Sequence, residues 1–378
     1  MVSVPGYPAK LLRKMLEIYS PSGSEAELAE FLHGEMKSNG FAARIDDVGN
    51  VVGVLGNEGP RILLCGHMDT VPGRVPIRQD VDLLYGRGAV DAKSSLAAMI
   101  VGAALAKERS SHPFQVTVAA VVEEETSSKG IRAITDDQTQ YAMAGFGEPS
   151  GVSNLIIGSK GSLKLHASIT TNGRHSASLL LSASSYEEAS VFWRVFEKGI
   201  LRNSSPSKFE AVTGCVTRAE AGDLGNSVPT LATLDVDLRI PPGLSSNDLI
   251  TKIKEFTTRY SADRPGVRIQ LDFGDQAEAF LGSPNSTAVS AFRWAIRKMK
   301  GGQVAMVKKT GTSDMNLFAQ RQNIPMFAYG PGDSRFDRAE LEHVRISEYL
   351  ACIEVYATAL PRFAENASSI PPLPAATP

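Results

Sequence analysis

The chain holds 378 residues, 43% apolar and 21% charged, enough for one large domain or two ordinary ones. Its 39 Lys and Arg nearly cancel its 41 Asp and Glu, so neither nucleic acid nor a membrane is expected as the main partner. Cys65, Cys215 and Cys352 are far apart and lack C-x-x-C spacing, which argues against a disulfide frame or cysteine-bound zinc. With no signal pattern in MVSVPGYPAK and no run near the ~20 apolar residues of a membrane span, a cytoplasmic protein is expected.

In chain order, residues 24–38 open on Ser24-x-x-Glu27, the pattern of a capping box. They carry Leu28, Phe31, Leu32 and Met36 on one helical face, and Asn39-Gly40 ends the helix. Strands are predicted over 42–46, 51–55 and 61–65. SSLAAMIVGAALAKE, after Asp91, is apolar nearly all round and predicts a buried helix. QVTVAAVV (115–122) reads as a fully buried strand. This alternation predicts an α/β layer domain over 1–158. Beyond it, KGSLKLHASITT alternates like a strand with one wet face. A helix over 186–198, strands near 208–217 and across 231–239, a helix over 247–260 and the strand VRIQLDF follow. That order is the split-βαβ pattern, so an inserted ferredoxin-like α+β domain is expected over 159–274. The α/β domain resumes over 275–362 with a helix containing Trp294 and Ile296. The Pro- and Ala-rich residues 363–378 predict a disordered tail.

Chemistry concentrates where predicted strands end, the usual ligand edge of an α/β sheet. His67 and Asp69 follow the strand over 61–65, and Asp91 stands in a Gly-rich loop that opens the buried helix. Glu123, Glu124 and Glu125 end the strand at 115–122, and Glu148 lies in GFGEPSG. Carboxylates at an apolar strand tip repel one another unless a cation is near, although a solvated turn would also explain them. One imidazole with three or four acids suits Zn²⁺, Co²⁺ or Mn²⁺, and a spare acid can act as general base on water.

HMDTVPG, GRGAVDAK, EEETSSKG, GEPSG, GRHSAS, GNSVP, DLRIP and KTGTSDMN occur in the order found in the M20 family of zinc aminoacylases and peptidases, which the chain resembles over roughly residues 7 to 360. It is most similar to the LysW-lysine/LysW-ornithine hydrolase branch, beside the acetylornithine and acetyl-lysine deacetylases. The resemblance implies a three-layer α/β zinc-hydrolase catalytic domain with an inserted lid and dimerisation domain, working as a homodimer on one or two Zn²⁺ or Co²⁺ per subunit. It implies that His67, Asp91, Glu125 and Glu148 bind metal, that Asp69 orients His67, and that Glu124 moves the proton. It also implies a cis Asp91–Ala92 peptide, an oxyanion role for His175, and substrate contacts for Asn226, Arg239, Thr312 and Ser313. The partner would be an acidic amino-group carrier protein or a small N-acyl amino acid.

One position departs from the family. Eight residues after Gly330, where relatives carry a metal-binding histidine, stands Arg338, whose guanidinium cannot ligate a cation. Four readings stay open: His343 or Asp337 reaches in, the enzyme runs on one metal, the chain only binds its ligand without catalysis, or the register there is displaced. Other signals are set aside. GAVDAKS lacks the Gly required before the Lys of a phosphate loop, and no serine triad is assembled. His33, His112 and His166 are expected to be structural or solvated, and Lys308-Lys309 either a wet face or a contact for an acidic partner.

Overall fold

A computed structural model describes residues 6–172, 184–201, 207–222 and 228–368. It divides into two compact units, Met1–Ile157 with Gly282–Val307 and Leu317–Pro378, and Gly158–Leu281 with Lys308–Asn316. The first opens on α1 (Tyr7–Glu17) and α2 (Ala26–Ser38), then β1 (Ala42–Ile45), β2 (Val51–Leu55) and β3 (Arg61–His67). The hairpin of β4 (Arg78–Asp80) and β5 (Leu83–Tyr85) leads to α3 (Lys93–Arg109) and β6 (Gln115–Val121). α4 (Lys129–Asp136), β7 (Met143–Phe146) and β8 (Asn154–Ser159) follow. The chain then forms β9 (Gly161–Thr171), α5 (Ser185–Phe196), β10 (Thr213–Ala221), β11 (Leu231–Ile240), α6 (Ser246–Ala262), β12 (Val267–Ala277) and β13 (Phe280–Leu281). It closes with α7 (Thr287–Lys300), β14 (Ala305–Lys309), α8 (Asp314–Ala319), β15 (Met326–Ala328), β16 (His343–Arg345) and α9 (Ile346–Ser368).

In the first unit the sheet runs β1-β2-β6-β3-β7-β15-β8, with β6, β3, β7 and β15 parallel and the outer pairs antiparallel. The buried helix predicted after Asp91 is α3, whose Met99, Ile100 and Val101 are fully buried. Each such side chain contributes about 1.5–3 kcal/mol by leaving water. α3 packs on α9 so closely that a Cβ on Gly102 would lie 2.5 Å from Tyr356 Cβ and 3.0 Å from the Ile353 carbonyl oxygen. The second unit is a four-stranded antiparallel sheet, β10-β11-β9-β12, the split-βαβ order. Leu163, Leu165, Ala167 and Ile169 alternate into its core with Phe192 and Phe196 of α5 and Ile253 of α6.

Three sequence expectations change. Helix α2 starts at Ala26, one residue too late for Ser24 to cap it; Glu25 stands at the cap without a capping side-chain bond, and its Oε1 accepts the Glu123 backbone N–H at 3.1 Å. The strand expected near 208–217 begins at Thr213, since the carbonyls of Lys208 and Ala211 turn aside to meet Lys160 Nζ. The tail expected from 363 is helical through Ser368: Pro361 lies inside α9, and Phe363 and Ala364 continue the buried face of Tyr356 and Leu360. Composition weighed that segment as a whole and missed the apolar repeat.

Candidate metal centre

His67 ends β3 on the sheet's carboxyl edge and is 2% exposed. Its Nδ1 lies 3.0 Å from the Asp69 carbonyl oxygen, which can only accept, so Nδ1 carries the hydrogen and Nε2 presents a lone pair. That lone pair faces Asp91 Oδ1 at 3.2 Å. Two acceptors at this distance repel unless a proton or a cation stands between them. Burial works against charge on His67, but the Asp69 and Asp91 hydrogen bonds, with Glu124 nearby, lift its pKa well above the ordinary value. Burial would likewise raise Asp91, yet the hydrogen bond and charge of His67 hold it below the usual carboxylate range.

Asp69 is fully buried and organises the triple acid. Its Oδ1 accepts the Glu124 N–H at 3.0 Å, and its Oδ2 accepts the Glu125 N–H at 3.1 Å and the Ser22 hydroxyl at 2.6 Å. Glu123 goes elsewhere: left-handed at φ 55°, it accepts the Ser127 hydroxyl at 2.6 Å and pairs with Lys129 Nζ at 2.5 Å. The register that assigns the chemistry to Glu124 and Glu125 therefore coincides with the two acids whose backbones Asp69 holds. Glu148 follows β7, which is parallel to β3 with Cys65 opposite Phe146. The Gly147 N–H just before Glu148 donates to the Cys65 carbonyl at 2.8 Å, two residues before His67.

The Asp91–Ala92 peptide is cis. The loop before it is held by Glu342, 1% exposed, whose Oε1 accepts the N–H groups of Val90 at 2.9 Å and Asp91 at 3.2 Å and whose Oε2 pairs with Arg87 at 2.8 Å. Sequence reasoning missed Glu342; a lone acid among RAELEH carries no local mark of what it binds.

Arg338 comes to the acids. Its Nη2 is 2.5 Å from Glu125 Oε2, and its Nε is 3.8 Å from Asp91 Oδ2 and 3.4 Å from Asp337 Oδ1. Burial first, and then the charge of Asp91, push both Glu125 and Asp337 up to about 7. His343 sits in β16, its ring 4.9 Å from Tyr85 and 4.6 Å from Phe336, with Nδ1 2.7 Å from the Leu341 carbonyl. Among the described residues, no three His, Cys, Asp or Glu side chains converge closely enough to hold a metal unaided. The pair that fits a divalent cation is His67 with Asp91, whose facing atoms either a proton or a cation can bridge.

In the second unit, Arg239 donates from Nη1 to Thr312 Oγ1 at 3.1 Å and from Nη2 to Asp237 at 3.0 Å. Asn316, also missed, ties that loop: its Oδ1 accepts the Ser313 N–H at 3.0 Å, and its Nδ2 donates to the carbonyls of Lys160 and Glu278. His175 and Asn226 lie outside the described residues. His33 bonds the Ala43 carbonyl, His166 pairs with Asp235 at 2.6 Å, and Lys308 lies over the Phe209 ring.

A parallel-centred sheet that gathers a buried histidine and acids at its carboxyl edge defines the class, a metallohydrolase of amide bonds. Residues 63–362 match peptidase family M20/M25/M40, and the chain belongs to that family. It is 35% identical to the [LysW]-lysine hydrolase of Deinococcus radiodurans over 93% of this chain and 96% of that one. It is 28% identical to the [LysW]-lysine/[LysW]-ornithine hydrolase of Saccharolobus islandicus over 93% and 94%. Its fold matches the M20 family metallo-carboxypeptidase of Sulfolobus solfataricus with a TM-score of 0.79, at 18% identity over 95% and 99% of the chains.

Proposed function

We propose that this enzyme hydrolyses the amide that joins lysine or ornithine to an acidic, LysW-like carrier protein, releasing the free amino acid. Zn²⁺ or Co²⁺ is the proposed cofactor, and the enzyme acts in the cytoplasm as a homodimer. The observation that carries the reading is the Asp69 carboxylate, which fixes the backbones of Glu124 and Glu125 while its own carbonyl orients His67. His67, Asp91 and Glu148 would hold the cation; when bound, it polarises a carbonyl and acidifies water. Glu124 takes the proton of the attacking water. The water oxygen adds to the amide carbon, the C–N bond breaks, and Glu124 passes the proton to the leaving amine. Arg239, Thr312 and Ser313 are proposed to touch substrate, and His175 and Asn226 keep the roles the resemblance implies.

The test is turnover on carrier-linked lysine, carrier-linked ornithine, acetyl-lysine and acetylornithine with Zn²⁺ or Co²⁺ supplied. Carrier-linked substrates are expected to react at least tenfold faster by kcat/KM. Faster turnover of the acetylated amino acids would move the chain to the deacetylase side of the family, and no turnover of any would end the hydrolase reading.

A further inference from the structure

Asp91 turns its two oxygens in opposite directions. Oδ1 meets the lone pair of His67 Nε2 at 3.2 Å, and Oδ2 faces the Arg338 guanidinium at 3.8 Å. On the first side two acceptors confront each other, which is stable only around a proton or a cation. On the second side a cation is already present, supplied by the chain and gripped by Glu125 at 2.5 Å. A guanidinium stays protonated at any working pH and has no lone pair to offer a metal. A second divalent ion beside it would meet like charge at contact distance and lack ligating atoms from that residue. The backbone at Arg338 is left-handed, φ 58°, a conformation that persists in a non-glycine residue where the surroundings hold it. The side chain is thus aimed at the acids by its own strained backbone.

We infer that the Arg338 guanidinium is a built-in counter-cation of the acid cluster, filling the Glu125 side of Asp91 so that the centre takes one exogenous divalent ion, on the His67 side. Removing the metal with a chelator then leaves one permanent positive charge among Asp91, Glu125 and Asp337. The inference rests on the reading of this centre as a metallohydrolase, and it deepens that reading by setting the ion count and the place.

Metal content decides it. Wild type, Arg338→His and Arg338→Met are equilibrated with excess Zn²⁺, passed through a desalting column and analysed for zinc per chain, with circular dichroism to confirm folding. Co²⁺ titration followed by visible absorption gives a second readout. Wild type is expected to hold one ion, and one or both folded variants are expected to take up a second, because the charge that excluded it is gone. Two ions in wild type overturn the inference while leaving the hydrolase reading intact. One ion in wild type and in both folded variants also overturns it, since the guanidinium then excludes nothing. A wild type that holds no ion under excess Zn²⁺ sinks the inference and the metallohydrolase reading together.

Discussion

Each unit buries ionised groups, and it treats them in opposite ways. In the second unit, Lys160 is completely buried, and its ammonium donates to the Lys208 carbonyl at 3.0 Å, the Ala211 carbonyl at 2.6 Å and the Thr213 hydroxyl at 2.8 Å. Three protons meet three neutral acceptors, so the charge is spent inside the fold. In the first unit, Asp91, Glu125 and Asp337 crowd one another; burial and mutual repulsion raise two of them to about 7, and Arg338 is the cation they share. A buried charge whose hydrogen bonds are complete is satisfied where it stands, whereas like charges held together draw in a counter-cation.

That contrast is broken most sharply by Glu124→Gln. The amide keeps the shape and the backbone bond to Asp69 but cannot take a proton. Turnover is expected to fall about 10²–10⁴-fold, the usual contribution of a general base, with the melting temperature nearly unchanged. A variant that retains more than a tenth of wild-type kcat would mean that another group moves the proton. Lys160→Met is the counterpart. It strands three buried acceptors, each worth about 1–3 kcal/mol when left unpaired, so a loss of roughly 3 kcal/mol or more is expected in chemical unfolding, with zinc per folded chain unchanged. Were zinc binding lost with stability intact, the division drawn between the two regions would be wrong.

Asp69→Asn should fall between these. The asparagine oxygen still satisfies one of the two N–H groups of Glu124 and Glu125, but its NH₂ confronts the other, and the grip on His67 loosens. Losing such an orienting partner typically weakens metal binding about 10–100-fold, measurable by competition with a chromophoric chelator. An unchanged affinity would assign His67's orientation to the Asp69 carbonyl alone.

How much of this was legible in the sequence depended on how far each side chain reaches. His67, Asp91 and the Glu124-Glu125 pair announce themselves because each follows an apolar strand or opens a buried helix, and local pattern sets those ends. Glu342 was invisible because the N–H groups it holds lie 252 and 251 residues away in sequence. The capping box at Ser24 failed because the helix starts one residue later than the pattern places it, with Glu25 at the cap and its carboxylate turned to a partner 98 residues distant. Lys160 opens the predicted strand KGSLKLHASITT without any mark of its own, and only the folded chain brings acceptors 48 to 53 residues away onto its ammonium. The family pattern supplied the register within the triple acid, which no periodicity could.

The finest test of the contrast concerns the pH response of Lys160. Burial, and then the neighbouring Arg239 guanidinium, pull its pKa down to about 8 from an ordinary value near 10.5. Between those two values the unfolded chain binds more protons at this residue than the folded one, so its contribution to stability is least below pH 8 and grows as the pH rises toward 10.5. Other groups titrate in the same window, but they do so equally in Lys160→Met and cancel in the difference. The stability gap between wild type and Lys160→Met is therefore expected to widen from pH 7.5 to pH 10, followed by urea unfolding at each pH. A gap that stays constant would show that the three acceptors hold the proton as firmly as water does, and that burial costs this ammonium nothing.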